Sequence, residues 1–508
     1  MNLFELLAGE DNHSALVTPG GRSLTYKQLR ENVVGLVSQL NSFGLKRGDG
    51  FANTSGERIA IAMTNGSPMA ITFLAAALCG TAAPLNPKYK QEEFAFYYED
   101  TQANALITLS EGPEAAIAAV TPDMILINAK VNTDGTLSFE LVKTGSEPAE
   151  SSNPVAPNAD DMAMILHTSG TTSRPKRVPI RHRNLIVSAD NIIAAYSLTA
   201  ADTTLCLMPL FHIHGLVGCL LATLASGGTL ICPNGFNALE FWKLVDTYKP
   251  TWYSAAPTMH QTILARASRN TEIVKANRFR FIRSSSASLP PIIIEQLEAT
   301  LNAPVVESYS MTEASHLMTT NPLPPKVRKP GTVGYGFGVE VGIMDSEGNL
   351  LSQGSLGEVV VKAPNVIDGY ENNPQANATA FVNGWFRTGD QGILDADGYL
   401  RLTGRIKELI NRGGEKISPL EVDDVLLRHP AVAEALAFAV PHKSLGEDIH
   451  AAVVLKAEAG EKELLAYCST MLADFKVPKQ VHILDQLPRG ATGKLQRLAM
   501  AKLLNIGQ

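Results

Sequence analysis

Nine residues, Thr168–Lys176 (TSGTTSRPK), gather hydroxyls, a glycine and a lysine directly after the strand-like run AMIL (163–166). Backbone N–H groups, Ser/Thr hydroxyls and one ammonium are what a polyphosphate needs, so Thr168, Ser169, Gly170, Thr171, Thr172 and Lys176 are candidate phosphate ligands. The segment is not a Walker A loop, because the GxxxxGK[ST] spacing is missing and Pro175 precedes the lysine. On composition alone, an ordinary Ser/Thr-rich turn explains it equally well. His212 and His214 in PLFHIHG (209–215) have metal-ligand spacing, but no third ligand nearby completes a zinc site. GTVGYGFG (331–338) invites a dinucleotide reading. A strand-like run, VEVGIMD, follows it instead of a helix, so turns explain the glycines better.

The elements that must position these residues are strand-length apolar runs alternating with helix-length amphipathic ones. MILIN (124–128), TLICP (229–233) and PVVESY read as strands, and IIIEQLEATL (292–301) as a helix. The alternation predicts an α/β protein with mixed or mainly parallel sheets and helices. Lys143–Asp161, rich in Pro, Ser and Glu, reads as an exposed connector. From Gly331 onward, short strands (VEVGIMD, GEVVVKA) separated by SEGN and DADG turns predict a β-rich subdomain over about 331–404. After GRIKELI come a helix (SPLEVDDVLLRH) and strands (EALAFAVP, IHAAVVLK). The expected division is a large N-terminal region, 1–404, and a small α+β C-terminal domain, 405–508.

The chain has 508 residues, enough for about three domain-equivalents. Its 43 basic and 50 acidic residues give a net charge of −7, which argues against nucleic acid as the main partner. Five scattered cysteines with no CxxC pair argue against a disulfide scaffold or zinc ribbon and for a reducing compartment. MNLFELLAGEDNH lacks a basic n-region, so no signal peptide is expected, and NIGQ matches no peroxisomal or ER-retention address. Met69–Ala83 is shorter than the roughly 20 residues a membrane span needs. Gly215–Pro233 is nearly long enough, but Gly227-Gly228 splits it into a helix-like and a strand-like part. The expected location is cytoplasmic, with no membrane partner and the oligomeric state left open.

Five further segments follow the hydroxyl-rich loop in fixed order: PLFHIHG, YSMTE (309–313), WFRTGD (385–390), GRIKELI (404–410) and PRGATGK (488–494). Together, over nearly the whole chain, they resemble the adenylate-forming superfamily of acyl-CoA synthetases, peptide-synthetase adenylation domains and firefly luciferase. The resemblance implies ATP and CoA as co-substrates, Mg²⁺ as cofactor and a small carboxylate as substrate. Adenylation joins a carboxylate to the α-phosphorus of ATP, two anions that repel, so positive charge and positioning are required. By resemblance the loop at Thr168–Lys176 holds the β- and γ-phosphates and Tyr309 stacks on adenine. Thr312 bonds the α-phosphate, Glu313 ligates Mg²⁺, and Asp390 and Arg405 approach the ribose. Lys494 matches a mobile lysine that bridges carboxylate and α-phosphate, although its basic run (Arg489, Gly490, Gly493, Arg497) would otherwise read as a solvated tail. Lys407 matches a hinge, and Gly413-Gly414 a tunnel for the pantetheine arm. Lys494, Thr312, Glu313 and His212 are the implied catalytic positions. Two departures stand out: Ser173 and Arg177 replace glycines common among relatives. Arg177 either adds charge near the phosphates or points to solvent.

In this superfamily the acyl pocket lies between PLFHIHG, a following strand and the YSMTE region. Here those stretches supply His212 and His214, Arg283-Ser284-Ser285-Ser286, and His316. The lining is polar and suits a short acid with a second charged group, because unpartnered buried polar groups cost about 1–3 kcal/mol each. The histidines could instead satisfy backbone groups. The wording of IRSSSASL, SYSMTEASHLMTTNPLP, PNVIDGYENNP and GRIKELINRGGEKISPLEV is similar to the oxalate–CoA ligases of plants and fungi. That subgroup implies oxalate, with Ser286 and His316 on its far carboxylate, His214 nearby and a protonated histidine as partner. Alternatives are a ligase for another short, medium-chain or aromatic acid, an adenylation enzyme loading a carrier protein in trans, and a non-catalytic nucleotide-binding homologue.

Overall fold

The first helix shows how sequence dictates element in this chain. Thr25 accepts from the Gln28 amide at 3.3 Å while the Gln28 side chain accepts from the Thr25 amide at 2.9 Å. This capping box starts the helix Tyr26–Ser42. Tyr26, Leu29, Val33, Leu36 and Leu40 then recur at helical spacing, and all are buried. The helix Ser67–Cys79 beside it is buried on every side, which explains its uninterrupted apolar sequence. In the structure, a computed structural model, residues 2–46, 57–143, 156–168, 175–490 and 495–506 are described. The expected connector falls largely on 144–155, outside the described residues.

Two large mixed sheets share one apolar core. The first runs Leu137–Lys143, Ile125–Val131, Ala105–Leu109, Arg58–Ile61, Thr81–Pro84, Met162–Thr168, Lys176–Arg181, parallel except for its two outer pairs. The second has nine strands. Its parallel centre is Val305–Met311, Phe281–Ser284, Trp252–Ala255, Thr203–Cys206, Thr229–Ile231 and Ser14–Val17. Near-continuous apolar strands and parallel pairing go together because helices cover both faces. The helix predicted at 292–301 is Pro291–Leu301, followed by the strand Val305–Met311.

The segment before Gly227-Gly228 is helical from Ile213 to Ala225, but its centre, Leu216–Leu221, is a π-turn. The strand Thr229–Ile231 follows. Among the described residues, no helix is long and apolar enough to cross a membrane.

The third sheet contains Glu340–Met344, Leu356–Lys362, Trp385–Leu394, Phe381–Val382 and Leu400–Arg405 and is the β-rich part of the large region. The fourth contains only strands from Ile410 onward and closes over a core of its own, including Ile410, Val422, Leu426, Ile449 and Val453. This is the small C-terminal domain. Its helix Pro419–Arg428 packs on the long hairpin Val432–His442 and Gly446–Leu455.

Candidate active site

A strand pair fixes the base of the hydroxyl-rich loop. Thr168 ends the strand Met162–Thr168 and Lys176 begins Lys176–Arg181, and these two residues are register partners. Ser169, Gly170, Thr171, Thr172 and Ser173 lie outside the described residues. Lys176 Nζ lies 4.4 Å from the centroid of the Tyr370 ring, and burial lowers its pKa, with the Glu313 charge opposing. The Tyr370 hydroxyl donates to Glu313 Oε1 at 2.8 Å, and the Thr168 hydroxyl approaches the same oxygen at 3.5 Å. One buried carboxylate therefore joins the two ends of the loop to a tyrosine that sequence reasoning passed over inside PNVIDGYENNP.

Arg177 does not point to solvent, its side chain being 13% exposed. Its Nη1 donates to the Asp100 carbonyl at 2.5 Å and sits 3.3 Å from Glu371 Oε2. Glu371 in turn pairs with Arg58 at 2.5 Å, and Asp100 with His167 at 3.0 Å. The departure from glycine is a buried ion-pair network that fastens the loop's exit strand to the helix Gln91–Thr101.

A hairpin places the next group. The strand Val305–Met311 carries Tyr309, the turn Thr312–Ala314 carries Thr312 and Glu313, and His316 opens the returning strand His316–Thr320. Ser315 and His316 reverse the chain at φ of 49° and 109°. Such conformations cost about 1–3 kcal/mol each in non-glycine residues and persist where the surroundings enforce them. Asp390 and Arg405 are cross-strand partners, with Arg405 Nε 3.2 Å from Asp390 Oδ1. Tyr309 donates its hydroxyl to the other oxygen, Oδ2. Burial, then the Asp390 charge, pushes the Tyr309 phenol far up, and Asp390 raises the Arg405 guanidinium. The residues expected around adenine and ribose thus stand together.

The acyl-pocket candidates also converge. His214 Nδ1 is 2.9 Å from the Ser286 hydroxyl and its Nε2 is 2.6 Å from the Ser254 hydroxyl. The His214 ring stacks on that of His316 at 5.0 Å between centroids. His212 caps the start of the helical segment, its Nδ1 accepting from the His214 amide at 3.3 Å. Arg283, fully buried on the strand Phe281–Ser284, donates from Nη2 to His316 Nε2 at 2.8 Å and from Nε to the Tyr196 hydroxyl at 2.9 Å. Burial, followed by the Arg283 charge and then His214 and His212, holds the His316 pKa well below the usual range. Burial and the Arg283 charge therefore oppose the expected protonated histidine at His316 and favour its neutral form. Gly218 in the π-turn makes room for the pair: a Cβ there would fall 2.4 Å from His316 Nε2 and 2.9 Å from Arg283 Nη1.

Beyond Arg405, Lys407 lies in the turn Ile406–Glu408 and adds positive potential at Lys176. Gly413 (φ 62°) and Gly414 (φ 100°) form the two-residue turn of a hairpin in which Arg412 pairs with Glu415. Positive φ at both positions calls for glycine locally, whatever else passes them. Lys494 lies outside the described residues, but its flanks are not a solvated tail. Arg489 bridges to Leu495 across antiparallel backbone and pairs with Glu434 at 2.6 Å, while buried Arg497 pairs with Asp423 at 2.7 Å.

The sequence pattern of the AMP-binding enzyme family matches residues 4–371, and that of the AMP-binding enzyme C-terminal domain matches 421–494. An oxalate–CoA ligase of Arabidopsis thaliana is 44% identical over 496 residues, 96% of this chain and 95% of that protein. An oxalate–CoA ligase of Saccharomyces cerevisiae is 42% identical over 478 residues, 88% of this chain and 86% of that protein. The crystal structure of ATP-bound MatB from Rhodopseudomonas palustris superposes with a TM-score of 0.87 at 28% identity, covering 99% of both chains. The two patterns take in both the Tyr309–Glu313 hairpin and the segment that ends at Lys494, and the chain belongs to the AMP-binding enzyme family.

Proposed function

We propose that the chain is an ATP-dependent carboxylate–CoA ligase whose acid is oxalate, converting oxalate, ATP and CoA to oxalyl-CoA, AMP and diphosphate. The observation that carries the choice of acid is the buried polar cluster of His214, Ser286, His316 and Arg283. Within it Arg283 Nη1 and His316 Nδ1 are buried donors with no partner among the described residues; a fatty or aromatic acid would leave them unpaired, whereas a short dianion would satisfy them. The two oxalate–CoA ligases support the same reading.

In the first half-reaction an oxalate oxygen attacks the α-phosphorus and diphosphate leaves. Lys176 and the hydroxyl loop hold the β- and γ-phosphates, Thr312 the α-phosphate, and Asp390 and Arg405 the ribose, with Tyr309 against adenine. Glu313 is a hard oxygen donor, and among the described residues no cluster of three or more metal-ligating side chains surrounds it. This fits Mg²⁺, which is usually held by one or two carboxylates together with substrate phosphates and water. Bound there, Mg²⁺ would neutralise phosphate charge. Lys494 bridges the carboxylate and α-phosphate oxygens.

In the second half-reaction the CoA sulfur attacks the acyl carbon and AMP leaves. For this step we propose that the chain divides after Gly404 and that residues 405–508 turn about Lys407, which withdraws Lys494 and brings Gly413-Gly414 to the pantetheine arm. The described cysteines are free and buried, which fits a reducing compartment such as the cytoplasm.

A panel of small acids assayed for AMP release with and without CoA tests the reading. Oxalate should lead acetate, hexanoate and cinnamate by orders of magnitude in kcat/KM, and only with CoA present. Hexanoate or cinnamate in front would overturn oxalate, and turnover independent of CoA would overturn the ligase.

A further inference from the structure

We infer that Arg283 is a positioning residue for the acyl pocket: it fixes His316 as a neutral Nδ1–H donor and so presets the proton that meets the acid's far carboxylate. The reasoning starts from donor arithmetic. A guanidinium has five N–H donors and no acceptor, so the 2.8 Å contact from Arg283 Nη2 makes His316 Nε2 the acceptor. A neutral imidazole with an acceptor at Nε2 carries its proton on Nδ1. His316 Nδ1 is buried and without a partner among the described residues. It is therefore a fixed donor awaiting an acceptor.

Three observations keep the arrangement in place. The Arg283 side chain is held from behind by the Tyr196 hydroxyl, which is itself 2.9 Å from the Thr320 hydroxyl. Gly218 in the π-turn leaves room for both groups, since a Cβ there would fall 2.4 Å from His316 Nε2 and 2.9 Å from Arg283 Nη1. The charged and titratable groups facing His316 are Arg283, His214 and His212, and all three oppose a proton on Nε2. Arg283 itself has neutral partners, Tyr196 and His316, and its Nη1 has none among the described residues. A buried guanidinium with no carboxylate pair among the described residues is costly, and an anion bound nearby would offset that cost. The inference rests on the acyl-pocket reading above and goes beyond it by assigning the charge and the tautomer.

The direct test is ¹⁵N-histidine NMR of the wild-type protein, with the His316 signal assigned by His316→Gln. The expected spectrum shows a neutral Nδ1–H, Nε2-acceptor imidazole unchanged from about pH 6 to about pH 8. The opposite tautomer, or a titration near the ordinary histidine value, overturns the inference. Arg283→Met gives the kinetic counterpart. Without the arginine, His316 can take either tautomer and titrate, so oxalate kcat/KM should fall about tenfold or more at pH 8, chiefly through KM. It should recover in part near pH 6, where an imidazolium donates from both nitrogens. Arg283→Lys should retain more activity than Met, and the KM for ATP should be unchanged in both.

A loss equal at every pH, or one shared by the ATP KM, assigns Arg283 a merely structural role. Unchanged oxalate kinetics in Arg283→Met overturns the inference as well. If Arg283→Met does not fold, the wild-type tautomer decides alone. A wild type that does not turn over oxalate would sink the oxalate reading, while the tautomer would still stand or fall by NMR.

Discussion

The Lys176 ammonium rests on the face of Tyr370, 4.4 Å from the ring centroid, and the hydroxyl of that ring donates to Glu313 at 2.8 Å. Tyr370 thus holds one cation and one anion of the proposed phosphate site at once. Tyr370→Phe keeps the ring and removes one hydrogen bond to a charged group, worth roughly 1.5–3 kcal/mol, so the KM for ATP should rise about tenfold or more. Tyr370→Leu removes the ring as well and should cost more. Diphosphate release at varied ATP measures both, and equal KM values for Phe and wild type would remove Tyr370 from the site.

Asp390 accepts from Tyr309 on one oxygen and pairs with Arg405 on the other. Asp390→Ala should weaken ATP binding through lost ribose bonds of roughly 1.5–3 kcal/mol each, with relaxation reducing the sum. It also strands the Tyr309 hydroxyl. Calorimetry showing an unchanged ATP Kd would take Asp390 out of the nucleotide site.

Gly218→Ala tests the notch against the acyl pocket. In an ordinary helix alanine would stabilise by about 1 kcal/mol, but here its Cβ meets His316 and Arg283 at 2.4 and 2.9 Å. Oxalate kcat/KM should drop while the ATP KM stays, and the melting temperature should not rise. A more stable variant with full oxalate activity would show that the pair has room to move.

Glu307 is pushed up to about 8, chiefly by burial, with the Gly331 amide opposing at 3.1 Å and the Asp424 charge adding. Its unfolded value is near 4.5. Between those values the folded chain holds a proton that the unfolded chain has lost, so stability falls as pH rises, by up to about 1.4 kcal/mol per pH unit. Glu307→Gln removes the titration. Its gain in melting temperature over wild type should grow from pH 5 to pH 8, and a gain constant across that range would contradict the burial argument.

The two half-reactions separate the small domain's roles. Lys494→Ala should abolish adenylate formation and spare thioester formation from supplied oxalyl-adenylate. Lys407→Pro should do the reverse, because a fixed φ at the proposed hinge would block rotation. Both half-reactions failing together in Lys494→Ala, or full CoA-dependent turnover in Lys407→Pro, would place these functions elsewhere.

Much of this was legible in the sequence, because apolar period and motif order are local signals. The helix Pro291–Leu301 and the strands around it follow from the period, while the convergence of His214, Ser286 and His316 was implied by the family resemblance. What was not legible depends on residues far apart. Arg283 reads as one polar residue in FIRS until His316, 33 positions on, is seen accepting from it. Tyr309 and Asp390 are 81 positions apart. Arg177 looked like surplus charge because its partners Asp100 and Glu371 flank it from different parts of the chain. The glycines at 413 and 414 stood out only through resemblance, although GG between NR and EK is also a hairpin signal.

The π-turn at Leu216–Leu221 has one more residue than an α-helix needs over the same span. Deleting a single residue there would leave an unbroken α-helix, with no loss of backbone hydrogen bonding. The flanking turns would keep their phase, because the π-turn absorbs the extra residue, and the change would fall on which side chain inside it stands where Gly218 now does. The wall of the proposed acyl pocket would change while the strands that carry Tyr309 and Asp390 stayed as they are. One lost codon would thus alter the surroundings of His316 and Arg283 without any substitution at either residue.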